Sequence, residues 1–243
     1  MVEPDASTPV RGYAASMDEL RHGHSRWLPD DQPPAGQRAA LHRLAAAVRR
    51  LNELLMDTEA PEEDIIAGAG SVETFCEKLE VLPRHRILWG YAEASNAGDP
   101  RAFFDNSPVI GMANPIAPPV IPSMDGTRVE ARVTFGAAYE GPPGHVHGGW
   151  VAAAFDEVLG MVQSASGNPG MTGTLTVKYR RPTPLYKELR FEARLDRVEG
   201  RKIFTHGSLW DGETLCAEAE GIFISVDFGR MRNLAFGAAG GEQ

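Results

Sequence analysis

The chain has 243 residues, 42% of them apolar and 23% charged, with a net charge of −9. That length suits one large domain, or one of about 130–150 residues with an extension, and the apolar share is enough to bury a core. The acidic balance argues against nucleic-acid partners, because a phosphate backbone wants a basic surface. Cys76 and Cys216 are far apart and form neither a metal-type pair nor a disulfide framework, so a reducing, cytoplasmic setting is expected. No apolar signal segment and no run of about 18 apolar residues is present, so no membrane span is expected.

Residues 1–36 are rich in Pro, Ser, Gly and charge and read as a poorly ordered arm. Over 37–57, Leu41, Leu44, Val48, Leu51 and Leu55 recur at 3-4 spacing, the apolar stripe of a helix, with Arg38, Arg43, Arg49 and Arg50 mostly toward solvent. Pro61 and the acids after it open a second helix, whose stripe of Ile65, Val72, Cys76 and Leu79 runs to about residue 81. The simplest arrangement is a helical hairpin over 37–82 that packs or oligomerises. Residues 95–127 are proline-rich and nearly aperiodic, with one strand expected near 108–113.

The period then changes to two. Val129, Ala131, Val133 and Phe135 alternate with Arg128, Glu130, Arg132 and Thr134, as in a half-buried strand. A helix follows from about 148 to 166, ended by Ser-Gly-Asn-Pro-Gly. Four strands come next. In the first, Leu175, Val177 and Tyr179 point one way, and Thr174, Thr176, Lys178 and Arg180 point the other, with Thr172 in phase with the second set. Leu189, Phe191, Ala193 and Leu195 share a face of the next, which turns back at Glu199-Gly200; residues 203–210 and 215–226 finish the sheet. A helix apolar nearly all round must be covered on most sides. An antiparallel sheet curled around it does so: an α+β chain with the hotdog fold, its domain over residues 100–230, whose exposed side calls for a second copy.

The sequence holds no G-x-S-x-G elbow, no G-K-[ST] phosphate loop and no H-E-x-x-H. His145 and His147 form an H-x-H but lack further nearby ligands, so no metal is expected. The candidate site lies in GPPGHVHGGWVAAAFDEVLG, residues 141–160. Gly148 and Gly149 open the helix, where free backbone N–H groups and the helix dipole suit a developing oxyanion. Asp156 sits among Val151, Ala152, Ala154, Phe155, Val158 and Leu159. A carboxylate in such surroundings is costly, and acids are kept there mainly for a task. Glu157 is about 100° further round. Asp156 is expected inside, facing Ala152 and Gly160, and Glu157 at the rim. Gly149 and Asp156 are separated by a rise of about 10 Å. A shared carbonyl is therefore reached more easily by the glycine of one subunit and the carboxylate of another, as in a homodimer or a dimer of dimers.

GPPGHVHGG, an Asp nine residues after His147, MTGTLTVKYRRPTPL and LDRVEGRKIF together resemble the hotdog-fold acyl-CoA thioesterases. The likeness is to the PaaI-like group and to the mammalian thioesterase-superfamily proteins once described as carboxyl-terminal modulator proteins. It covers about residues 107–228. The resemblance implies a hydrolase acting on an acyl-coenzyme A, with no cofactor beyond the CoA that is part of the substrate. By it, the Gly149 N–H polarises the thioester carbonyl and His147 shapes the turn. The partner subunit's Asp156 is general base or nucleophile. Thr172 holds the water or the carboxylate, a place some relatives give to a residue matching Thr174, and Gly148 lines the substrate. An Asn that some relatives place six residues before the His is Gly141 here. Lys178, Arg180, Arg201 and Lys202 match positions that meet the nucleotide. They fall in a stretch, 178–202, with nine basic residues against four acidic, apt for the phosphates of CoA. An acyl-CoA-binding regulatory protein with little turnover is the alternative, and a hotdog hydratase or dehydratase the third reading. The costly Asp156 favours hydrolysis over mere binding.

Overall fold

The computed structural model describes residues 33–83, 104–168 and 170–226. The arm expected over 1–36 falls almost wholly outside them. Two helices come first, α1 (Gly36–Leu55) and α2 (Glu62–Glu80). Then follow β1 (Ile121–Asp125), β2 (Arg128–Thr134), α3 (Gly148–Gln163), β3 (Gly170–Tyr179), β4 (Glu188–Glu199), β5 (Lys202–Asp211) and β6 (Thr214–Ser225). The strands make one antiparallel sheet in the order β1-β2-β4-β5-β6-β3, with α3 packed on its concave face.

The alternation read in β2 is realised: Val129, Ala131 and Val133 are buried and the residues between them exposed. On α3, Val151, Ala154, Phe155, Val158, Leu159, Met161 and Val162 are all buried. Phe155 meets Phe191 of β4 edge-on, ring centroids 5.0 Å apart. The opposite face of the sheet carries the charged residues, as two-residue periodicity requires. Gly200, at φ 58°, makes the tight β4–β5 turn expected at Glu199-Gly200.

The segment before the sheet departs from expectation. No strand forms at 108–113. Ser107 Oγ accepts the N–H groups of Val109 and Ile110, and the Gly111 N–H donates to the Ser107 carbonyl at 3.0 Å. These local bonds wind the chain into turns in place of a ladder. Val109 and Ile110 are buried as anchors. The first strand is β1, which pairs with β2 from Ile121 opposite Arg132 to Asp125 opposite Arg128.

The N-terminal helices have nearly the expected bounds but not the expected packing. α1 meets the body through a polar face. Arg38 donates two hydrogen bonds to the Asp105 carboxylate at 2.7 and 3.0 Å, and His42 Nε2 stands 2.7 Å from the same group. Arg49 donates to the carbonyls of Asn114 and Met112. Arg38 and Arg49 therefore face inward, not toward solvent, while Leu41, Leu44, Leu51 and Leu55 are exposed. The cause is that residues 105–114 offer a carboxylate and backbone carbonyls, to which guanidinium groups can donate and leucines cannot. Nor do the helices close into a hairpin by their stripes: no residue of α2 is buried.

Candidate active site

α3 begins where an extended loop turns into the helix. His147 is its N-cap, and its Nδ1 accepts the Gly149 N–H at 3.0 Å. This satisfies one of the orphan donors of the first turn. It also assigns the neutral ring its proton on Nε2. The N–H expected to meet an oxyanion is thus held by the His147 side chain. Tyr179, from the end of β3, donates to the Gly148 carbonyl at 2.7 Å and ties the helix start to the sheet edge. A Cβ at Gly148 would stand 3.3 Å from the Tyr179 hydroxyl, so the glycine makes room for that contact. His145 is turned elsewhere, its Nδ1 donating to the Pro143 carbonyl at 2.8 Å. Among the described residues no group of three or more His, Cys, Asp and Glu is placed to hold a metal ion.

Two turns further along, the Thr172 hydroxyl donates to Asp156 Oδ1 at 2.8 Å. Simple alternation along β3 would send Thr172 to the outer face with Thr174. A β-bulge between Thr172 and Thr174 reverses the phase and turns Thr172 onto the helix side. Gly173 is the residue that lets it form, since a Cβ there would come within 2.9 Å of Ile224 Cγ1. Thr174 stays on the exposed face, paired in register with Ile222 and remote from Asp156 in direction.

Asp156 and Glu157 do not divide as expected. Both are half-buried in this chain. It is Glu157 whose carboxyl is enclosed: Ser107 Oγ donates to it. Burial pushes the Glu157 pKa up to about 7, the Ser107 hydrogen bond pulls it down, and the nearby Asp156 charge adds to the rise. The reason is the segment of turns at 107–113, which folds over this part of α3 and covers Glu157. No periodicity announced that contact. Ser107, Glu157 and Tyr179 are thus the residues that sequence reasoning missed at the site. Only Glu157 carried a signal, an acid in an apolar helix.

The basic residues are placed less simply. Lys178 pairs with Glu220 at 3.1 Å and Arg180 with Glu218 at 2.7 Å, both across the exposed β3–β6 surface. Arg201 donates to the Ser225 carbonyl at 3.2 and 3.1 Å. Lys202 is exposed at the start of β5 and makes no ion pair among the described residues. The structure therefore gathers His147, Gly148, Gly149 and Tyr179 at one end of α3, and Asp156, Thr172 and Glu157 along it. Arg201 and Lys202 stand apart at the β4–β5 turn.

The sequence profile of the Thioesterase superfamily matches residues 143–218, a span holding both the helix start and Asp156. The chain is 38% identical over 94 residues to the acyl-coenzyme A thioesterase THEM4 of Bos taurus, a match covering 38% of each chain. With THEM4 of Xenopus laevis it shares 36% over 93 residues, 37% of this chain and 42% of that one. The matched part thus spans well under half of these relatives. A crystal structure of a thioesterase superfamily protein is 34% identical and superposes with a TM-score of 0.69, covering 79% of this chain and 97% of the other. That share is more than residues 104–243 could supply, so the likeness takes in part of the N-terminal region.

Proposed function

Because the chain belongs to the thioesterase superfamily, we propose that it hydrolyses the thioester of an acyl-coenzyme A to the free acid and CoA. The relatives named as acyl-coenzyme A thioesterases support the substrate class. The observation that carries the mechanism is the Asp156 carboxylate held by the Thr172 hydroxyl. One carboxylate oxygen is oriented by that bond, which leaves the other to take a proton from water. The hydroxide equivalent attacks the carbonyl carbon, and the negative charge passes to the carbonyl oxygen. Collapse of the intermediate breaks the C–S bond, and the thiolate leaves and is protonated. Water is the only co-reactant.

The oxyanion is received by the Gly149 N–H, released as the His147 ring turns, or by the ring's own Nε2–H. Gly149 and Asp156 of one helix are about 10 Å apart along its axis. The site is therefore shared in a homodimer: the glycine turn of one subunit faces the partner subunit's Asp156. Direct attack by the carboxylate, with an acyl anhydride intermediate, uses the same geometry. Arg201 and Lys202 meet the phosphates of CoA. Lys178 and Arg180 join them by exchanging their glutamate partners for phosphate oxygens.

Thiol release from a panel of acyl-CoAs, read with a thiol reagent, tests this. Asp156→Asn should lower kcat by about a hundredfold or more. Absence of release by the wild type at every chain length sinks the hydrolase. Full kcat in Asp156→Asn moves the chemistry elsewhere. The occupied Gly149 N–H favours one rival, an acyl-CoA-binding protein with little turnover, and the same assay combined with equilibrium CoA binding separates the two.

A further inference from the structure

The N-terminal helices leave two apolar stripes uncovered. On α1, Leu41 is 47% exposed and Leu55 is 52% exposed; on α2, Val72 is 47% and Leu79 is 44%. Stripes of this period normally lie against another surface. The two helices also differ in charge. α1 carries Arg38, Arg43, Arg49 and Arg50 against Glu53, while α2 carries acids at 62–64, 73, 77 and 80 against Lys78. Arg38 and Arg49 are engaged with the body. Arg43 and Arg50 are exposed and make no ion pair among the described residues.

We infer that α2 of one copy docks on α1 of a second copy, leucine stripe to apolar stripe, in a reciprocal exchange. The acidic flank of α2 (Glu73, Glu77) lies toward the basic flank of α1 (Arg43, Arg50). A second copy is the occupant because the two stripes complement each other in charge and yet do not meet within the chain. A two-fold exchange covers both stripes in both copies at once and closes, whereas a foreign helix covers one and leaves the other open. This interface is separate from the catalytic site and independent of the reaction.

Cross-linking tests it with the full chain. Leu41, Leu44, Leu51 and Leu55 are replaced by Cys one at a time in a chain that also carries Cys76→Ser. Each is co-expressed with a differently tagged chain that keeps Cys76, which lies on the exposed stripe of α2. A short bismaleimide should give a covalent heterodimer in at least one pairing. Glu73→Lys with Glu77→Lys on the Cys76 chain should cut its yield about tenfold. Arg43→Glu with Arg50→Glu on the other chain should restore it. All these positions are exposed, so folding is preserved, and the circular dichroism of each variant checks that. In a single chain holding both cysteines, an internally linked monomer whose yield is independent of concentration would overturn the exchange in favour of an intrachain hairpin. No cross-link at any of the four positions would overturn it as well.

Discussion

α1 and α3 carry the same kind of apolar pattern and use it in opposite ways. α3 buries its apolar residues against β2, β3, β4, β5 and β6, whereas α1 docks through Arg38, His42 and Arg49 and leaves its leucines in the open. Periodicity tells which residues share a face; it does not tell which face meets the body. α3 has little choice, being apolar on almost every side until Asp156 and Glu157. α1 has an apolar, a basic and a mixed face, and the surface offered by residues 105–114 is polar. The better-matched face wins, because an unsatisfied carboxylate or carbonyl costs more than a leucine left wet.

The largest test of the contrast is on α3. Phe155→Ala removes a ring that is 0% exposed and packed on Phe191, and should cost about 3–5 kcal/mol in chemical denaturation. A loss below about 1 kcal/mol would mean that α3 is not the centre of the fold.

Next comes the acid that α3 does bury. The Glu157 pKa stands at about 7, above its ordinary 4.5, so the folded state binds the proton more tightly than the unfolded one. The contribution of Glu157 to stability is then greatest below pH 4.5 and is lost as pH rises through 7, by about 3 kcal/mol in all. Glu157→Gln should flatten that slope between pH 4.5 and 8 while leaving stability at pH 4 nearly unchanged. An unchanged slope in urea titrations across this range would show that Glu157 is solvated. The variant also separates Glu157 from Asp156, since only the loss of Asp156 should remove thiol release.

These two carboxylates mark how far the sequence could be read. The sheet was legible from β2 onward, because one face of each strand is apolar and the other charged, and the long apolar helix demanded a cover. The helix start and Asp156 were legible as an acid and a glycine pair with no structural need to be there. Three features were hidden. The inward turn of Thr172 depends on a bulge, which breaks the period that strand reading relies on. The burial of Glu157 depends on Ser107, fifty residues away, in a segment whose turns are held by side-chain to backbone bonds. The inward arginines of α1 answer Asp105, and no local pattern links residues 67 apart.

That last link gives the smallest and most local expectation. Asp105 anchors α1 by accepting from Arg38 and lying within hydrogen-bond distance of His42, with its own side chain 14% exposed. Asp105→Ala removes the carboxylate that Arg38 and His42 both meet and should weaken the docking of α1 by about 1–2 kcal/mol. Because α1 docks on the turns at 105–114 chiefly through polar contacts, and reaches α3 only by way of that segment, opening should stay local. Amide hydrogen exchange should quicken about tenfold over 38–52, a factor that corresponds to about 1.4 kcal/mol, with the amides of α3 unchanged. Exchange that quickens equally in both helices would mean that α1 is part of one cooperative core with α3. The polar docking of α1 would then be a detail of packing and not a separate, weaker layer of the fold.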